Sequence, residues 1–371
     1  MKSARPPVTL TSGYIYFRDR SSTGGIEDLG ALSTNPLATT LIFPVNGAFL
    51  IPPAANVGQF IHTSSHSNAV YAQGEFHVAP TLDLVTGVRN TWDHSFSDDN
   101  VGGPFDTNSS KPTYLLGVNY RPMEDVLTYA KWSTGFISGG VFDGAAFLPE
   151  TANSYEAGLK ADWLSHRLRT NIALFNVTYN NLQQVAQESG KNVIINSGKA
   201  RARGFEFEGS LIPVEGVSLN ANLGYTNFRI LQLPVSQTPP PGEQYYPVKR
   251  PTVTSNLAAQ YESPDKIWNG RILMRLDGQF TSAVHYTPFA SGLNPQDTIA
   301  LTTVKAHWIA NARLALTDLP IAGARGQIAL WGRNIFNDKS IVGAADFTDR
   351  GLIAANFQAA ATYGIDLSVE F

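Results

Sequence analysis

The last stretch of the chain, "ATYGIDLSVEF", alternates strictly. Tyr363, Ile365, Leu367, Val369 and Phe371 fall on one side, and Asp366, Ser368 and Glu370 on the other. A strand turns successive side chains to opposite faces, so this period of two predicts a strand with one apolar and one polar face. The pattern recurs upstream. In "VSLNANLGYT", Val217, Leu219, Ala221, Leu223 and Tyr225 oppose Ser218, Asn220, Asn222 and Thr226. In "RILMRLDGQF", Ile272, Met274, Leu276 and Phe280 oppose Arg271, Arg275, Asp277 and Gln279. Read this way, the chain holds about fourteen strands. They fall near 8–18, 66–78, 82–93, 112–120, 125–134, 154–163, 167–179, 201–211, 217–228, 251–262, 269–281, 304–316, 325–333 and 361–371.

The connections alternate in length. Short ones ("APT", "RPMED", "LSH", "IPVEG", "SPDKIWN", "TDLPIAGA") are interleaved with long ones. The longest spans 18–65, and others centre near Ser95, Ile137, Ala186, Val235, Pro288 and Ala345. A sandwich has no reason to keep its long loops at one end, whereas a transmembrane barrel has short turns at one rim and long loops at the other. A tilted crossing takes about 9–11 residues, in keeping with these strands. The polar faces suit a water-filled interior. The apolar faces carry Trp163, Trp308, Tyr261, Phe280 and Tyr363 near strand ends, where aromatic girdles meet the bilayer interface. The expected fold is therefore all-β: a transmembrane antiparallel up-and-down β-barrel occupying residues 1–371, with 18–65 as its long extracellular loop. The competing reading is a soluble multi-sheet protein whose apolar faces meet a second layer.

Composition sharpens this picture. Of 371 residues, 15% are charged and 43% hydrophobic. Soluble domains average about 25% charged. No stretch approaches the roughly 18 apolar residues of a membrane helix. A net charge of -3 gives no basic field for nucleic acid. With 32 Gly, 22 Pro and 20 Phe, the mix suits strands and turns. The absence of cysteine excludes disulfides and thiolate chemistry. The N-terminal "MKSARPPVTLTSGYIYF" has no apolar core of a signal peptide.

Several blocks resemble the C-terminal barrel of TonB-dependent outer-membrane receptors. They are "YAKWSTGFISGGVFDG" (129–144), "LPETANSYEAGLKADWLSHRLRTNIALFNVTYNNLQ" (148–183), "NSGKARARGFEFEGSL" (196–211), "LWGRNIFNDKSIV" (330–342) and the terminal "YGIDLSVEF". The resemblance implies about 14 strands of a 22-strand barrel, in the Gram-negative outer membrane. It implies uptake of a scarce extracellular ligand such as an iron–siderophore complex, a vitamin or an oligosaccharide. Neither the plug domain nor the TonB-contact motif of such receptors is visible, so the chain reads as a C-terminal barrel fragment, with TonB a partner only of the full-length protein. Alternatives are a plugless passive channel closed by fourteen strands, and a soluble β-rich carbohydrate-binding module.

Enzyme chemistry is not apparent. There is no dinucleotide fingerprint, Walker loop, His-Glu-x-x-His or nucleophile elbow, and no cofactor is expected. His62 and His66 have a spacing at which a metal could be shared, although two loop histidines is the plainer reading. "SDDN" (97–100) reads as a solvated acidic loop tip rather than a calcium loop. Glu206 and Glu208 share a face and read as lumen lining. Ligand contacts are expected in the long loops and upper lumen, at Phe136, Phe142, Phe147, Tyr245, Tyr246, Tyr286, Phe289, Phe347 and Arg350. Aromatics stack on sugars or catecholates, and Arg pairs with carboxylates.

Overall fold

The computed structural model describes residues 6–25, 59–99, 103–142, 145–188, 191–196, 198–233, 245–287, 295–321, 323–347 and 352–370. In chain order the elements begin with β1 (Val8–Gly25), β2 (Gln59–Ala79), β3 (Leu82–Asp99), β4 (Gly103–Met123) and β5 (Val126–Ile137). Next come β6 (Gly140–Phe142), β7 (Ala145–Phe147), β8 (Glu150–Trp163), β9 (Leu168–Asn180), β10 (Gln183–Glu188) and β11 (Lys191–Asn196). The middle of the chain forms β12 (Lys199–Leu211), β13 (Val217–Gln232), β14 (Val253–Glu262), β15 (Arg271–Thr281) and β16 (Val284–His285). The last are α1 (Pro295–Thr302), β17 (Thr303–Val304), β18 (His307–Ile321), β19 (Ala324–Arg333), β20 (Ile341–Phe347), β21 (Leu352–Phe357) and β22 (Thr362–Glu370).

Fourteen strands make one sheet, in the order β1-β2-β3-β4-β5-β8-β9-β12-β13-β14-β15-β18-β19-β22. Every neighbour follows in sequence and runs antiparallel. The remaining strands are two-stranded hairpins inside the long connections. Among the described residues β1 pairs with β2 alone and β22 with β19 alone, so the sheet has two free edges.

Among the described residues the apolar face has no second layer. Tyr14, Val70, Val88, Leu116, Leu174, Leu257, Leu276, Leu314, Leu330 and Leu367 are all exposed. On β22, Ile365 is 67% exposed and Leu367 74%. The buried hydrophobic residues are mostly alanines, and the largest fully buried side chains are Thr302, Asp83 and Ser263. A water-soluble chain of this size would bury large aliphatic and aromatic side chains. This one presents them outward as a band, as a lipid-facing wall must. Among the described residues no helix is long and apolar enough to cross a membrane, and a closed sheet is the other structure that can span one. Trp308 and Tyr363 mark the apolar face at the long-loop rim, and Trp163 and Tyr261 at the opposite rim. Phe280 leans against Trp308 at 5.2 Å.

The other face is polar and cross-linked. Lys131 pairs with Glu156 at 2.9 Å, and Tyr129 donates to the same carboxylate. Asn171 donates to Glu208, which belongs to the lining expected of Glu206 and Glu208. Arg313 and the Trp331 indole both donate to Asp366 at 2.9 Å. Several large inward rings lie over a glycine directly opposite in register. Tyr129 covers Gly158, and Trp331 covers Gly364. A Cβ at Gly158 would sit 2.6 Å from the Tyr129 ring, so glycine makes room for the ring.

The strands differ from the expected spans chiefly at the start of the chain. β1 continues to Gly25, β2 starts at Gln59, and β3 and β4 extend to Asp99 and back to Gly103. The loop expected near Ser95 is therefore mostly paired strand. In the expected 18–65 loop, 18–25 and 59–65 are strand, and 26–58 lie outside the described residues. Strands of 18 to 21 residues are about twice what a crossing needs, so β1–β4 project beyond the bilayer. There both faces meet water, and the period-two contrast fades. The terminal Phe371 also lies outside the described residues.

Candidate functional site

The long connections converge at one rim through small hairpins. The first group is held by two side-chain amides. Gln183 on β10 donates to the carbonyls of Ser138 (2.9 Å) and Leu148 (3.0 Å). Asn196, its register partner on β11, bonds Leu148 at both N–H and C=O and donates to Asn181. The buried Glu150 carboxylate accepts the Gln183 backbone N–H at 2.8 Å. These bonds fix the β6–β7 hairpin, which carries the exposed Phe142 and the half-buried Phe147 beside Gly140. Phe136 lies just below, half-buried near the end of β5.

The second group gathers Tyr245, Tyr246 and Tyr286. The Tyr246 ring stacks on His285 at 4.1 Å. His285 Nδ1 meets the Thr303 hydroxyl at 2.9 Å, and its carbonyl accepts the Lys249 N–H. Lys249 Nζ stands 5.6 Å from the Tyr286 ring centre, and the Tyr286 hydroxyl donates to the Val342 carbonyl at 2.5 Å. Gln184 donates to the Tyr245 hydroxyl at 3.4 Å, joining this group to β10. Arg250 lies 3.9 Å over Phe228, itself beside Tyr179 on the inner wall. Burial pushes the His285 pKa down and the Tyr245 pKa up, so both groups favour their neutral forms. The result is a rim of ring faces with two cations beside it. It can stack planar groups and attract negative charge.

The expected residues thus fall into two groups: Phe136, Phe142 and Phe147 in one, Tyr245, Tyr246 and Tyr286 in the other. Phe289 and Arg350 lie outside the described residues, and Phe347 ends β20 with its side chain outside them. His285, Lys249, Arg250 and Phe228 were not anticipated. "PVKRP" carried the only signal, a cationic pair in an aromatic loop.

The expected metal and loop motifs need correction. His62 and His66 stand on β2, not in a loop. Four residues along a strand span roughly 13 Å, too far to share an ion. His66 instead stacks on His94 at 4.6 Å, and His94 pairs with Asp106 at 2.8 Å. Ser97–Asp99 belong to β3 rather than to a loop tip.

A single-layered sheet with an apolar outer band, a charged inner wall and long loops at one rim defines a transmembrane β-barrel wall of the outer-membrane type. The chain belongs to the TonB-dependent receptor family: the family described as "TonB dependent receptor-like, beta-barrel" matches residues 8–335. Barrels of this family are outer-membrane proteins of Gram-negative bacteria, and its members are transport receptors rather than enzymes. Among curated relatives, the chain is 30% identical over 177 residues to the ferric-pyoverdine M114 receptor PbuA of Pseudomonas sp. (strain M114), covering 44% of this chain and 21% of that protein. It is 34% identical over 187 residues to the metal-pseudopaline receptor CntO of Pseudomonas aeruginosa (strain UCBPP-PA14), covering 47% and 26%. Among solved structures, the ferric yersiniabactin uptake receptor FyuA from Yersinia pestis superposes with a TM-score of 0.74 at 16% identity, over 100% of this chain and 52% of that one. The ferric citrate transporter FecA gives 0.70 at 16% identity, over 99% and 52%. The chain therefore spans about half the length of these structures, and the matched stretches about a quarter or less of the curated relatives.

Proposed function

We propose that this chain forms part of the barrel wall of an outer-membrane receptor for a ferric siderophore, with the long-loop rim facing outside the cell and receiving the chelate. The observation that carries the reading is the rim itself, where Tyr245, Tyr246, Tyr286 and His285 assemble beside Lys249 and Arg250. Aromatic faces stack on catecholate-type chelators, and the cations complement their negative charge. The relatives named for ferric pyoverdine and metal–pseudopaline support the same ligand class.

The free edges of β1 and β22 bear on how the chain works. In hydrocarbon an unpaired backbone group costs several kcal/mol, so both edges need strand partners. Further strands of the same barrel fill that need, as the half-length coverage of FyuA and FecA suggests. In this reading the plug and the contact with TonB lie outside this chain, and a pull-down with the periplasmic TonB domain leaves this chain unbound. The test of the ligand is a titration of the purified chain in detergent with a ferric catecholate chelate, following tyrosine and tryptophan fluorescence. Saturable quenching is expected, weakened at least threefold by Tyr246→Ala and by Lys249→Ala. Quenching that is absent, or indifferent to both substitutions, rejects the assignment.

A further inference from the structure

Along the inner wall several cations stand against carboxylates. Lys131 pairs with Glu156, Arg121 with Asp83, Arg169 with Asp162, Arg275 with Asp277 and Arg313 with Asp366. Arg89 and Lys111 differ. Alternation puts Arg89 and Thr91 on the same face of β3 as Asp83, and Lys111 and Thr113 on the same face of β4 as Arg121. Arg89 lies opposite Thr113, and Thr91 opposite Lys111, so the four form a square with the cations on one diagonal. Among the described residues neither cation has a carboxylate partner. Arg89 Nε donates to the Thr91 hydroxyl at 2.9 Å, while the two terminal guanidinium nitrogens and Lys111 Nζ make no hydrogen bond to the described residues.

The wall opens beside this square. β4 and β5 pair from Met123 and Val126 only as far as Leu115 and Ser133. Beyond that point β4 runs on against β3 to Gly103, and β5 against β8 to Ile137. At the fork the Thr134 hydroxyl accepts the Tyr114 N–H at 2.9 Å, in place of a ladder partner. A cavity of about 330 Å³ lies there, lined by Ser67, Arg89, Asp93, Thr113 and Phe136 with their neighbours.

We propose that Arg89, Lys111 and Thr113 bind the carboxylate of an aryl monocarboxylate whose ring lies on Phe136. A guanidinium offers a carboxylate two parallel N–H donors, and an ammonium adds a point charge. Diagonal neighbours on an antiparallel pair stand roughly 7–8 Å apart, so one carboxylate can lie between the two long side chains. Asp93 sets the charge of the ligand. Its carboxylate accepts the Ser138 hydroxyl and lines the same cavity. Two cations against one carboxylate leave a single positive charge to balance, which suits a monoanion better than a phosphate dianion. Phe136 gives the ring an aromatic face. The site rests on this face being the lumen, as in the proposed function, but shares no residue with the Tyr246 group at the rim.

The test titrates the purified chain in detergent with sodium benzoate, followed by saturation-transfer NMR. Saturable transfer to the ring protons is expected. The dissociation constant rises at least fivefold in Arg89→Gln and in Lys111→Gln. It is unchanged in Arg275→Gln, which removes a cation already paired with Asp277. Should Arg89→Gln fail to fold, Lys111→Gln decides, since among the described residues the Lys111 ammonium makes no bond whose loss would open the wall. Inorganic phosphate at the same concentration is expected to displace little benzoate. Benzyl alcohol, which lacks the charge, is expected to give no saturable transfer. Transfer that is absent, that benzyl alcohol matches, or that Arg275→Gln weakens as much as Arg89→Gln does, overturns the site. Displacement by equimolar phosphate overturns the carboxylate assignment in favour of free phosphate. Quenching by the ferric chelate at the rim reads the proposed function separately, so either can fail alone.

Discussion

Gly158 and His285 show how single residues set this wall. Gly158 faces the lumen where the Tyr129 ring crosses the sheet to reach Glu156. In Gly158→Val the new side chain meets both that ring and the Ile172 carbonyl, already 2.6 Å from a Cβ. A loss of about 1–3 kcal/mol is expected, seen as a lower urea midpoint in detergent or vesicles. The sign of the pH effect at His285 follows from its burial. Its pKa is lowered in the packed loops, so the packed state takes up the proton less readily than the opened loop. The arrangement is then at full strength above the ordinary histidine pKa of about 6.5 and weakens as pH falls below it. The protection factors of the β16–β17 hairpin amides, which correct for the intrinsic slowing of exchange at lower pH, are expected to fall between pH 7 and pH 5, and to lose that dependence in His285→Gln.

At the scale of elements, the membrane crossings were legible because each has one face in lipid and one in water. β14, β15 and β22 fall at Val253–Glu262, Arg271–Thr281 and Thr362–Glu370, within about two residues of the alternating segments. The outer halves of β1–β4 were not legible. "FDTNSSKP" is polar on both faces and holds Pro112, which reads as a break, yet it pairs along β3. The loops were legible only as places where aromatics gather. Which hairpin touches which depends on hydrogen bonds such as those of Gln183, and these join residues about 35 to 45 positions apart. Gln183→Ala removes both side-chain bonds, at about 0.5–1.5 kcal/mol each. Amide exchange in β6–β7 and β10–β11 is expected to accelerate about tenfold, while the crossings β8 and β9 stay as protected as before.

At the scale of the whole molecule, the decisive features are the bare apolar face and the two free edges. Among the described residues they set a lipid-facing wall apart from a soluble module, and in the proposed reading also from a closed fourteen-stranded channel. The chain is expected in the membrane fraction, needing detergent for extraction, and without stepwise conductance in planar bilayers. A steady unitary conductance would mean that β1 and β22 seal against each other and would favour the passive channel.

The sequence by itself determined the membrane-crossing parts of the strands, their two faces and the alternation of short and long connections. Those follow from local side-chain alternation and from turn residues such as Asn334 and Asn337, which take the left-handed backbone that asparagine tolerates. Among the described residues, only the tertiary structure decided that nothing covers the apolar face, that β1 and β22 do not meet, and that Glu75, His77 and Asp83 converge. Each of these depends on register and on partners far along the chain, and a one-residue slip would turn every such side chain to the opposite face.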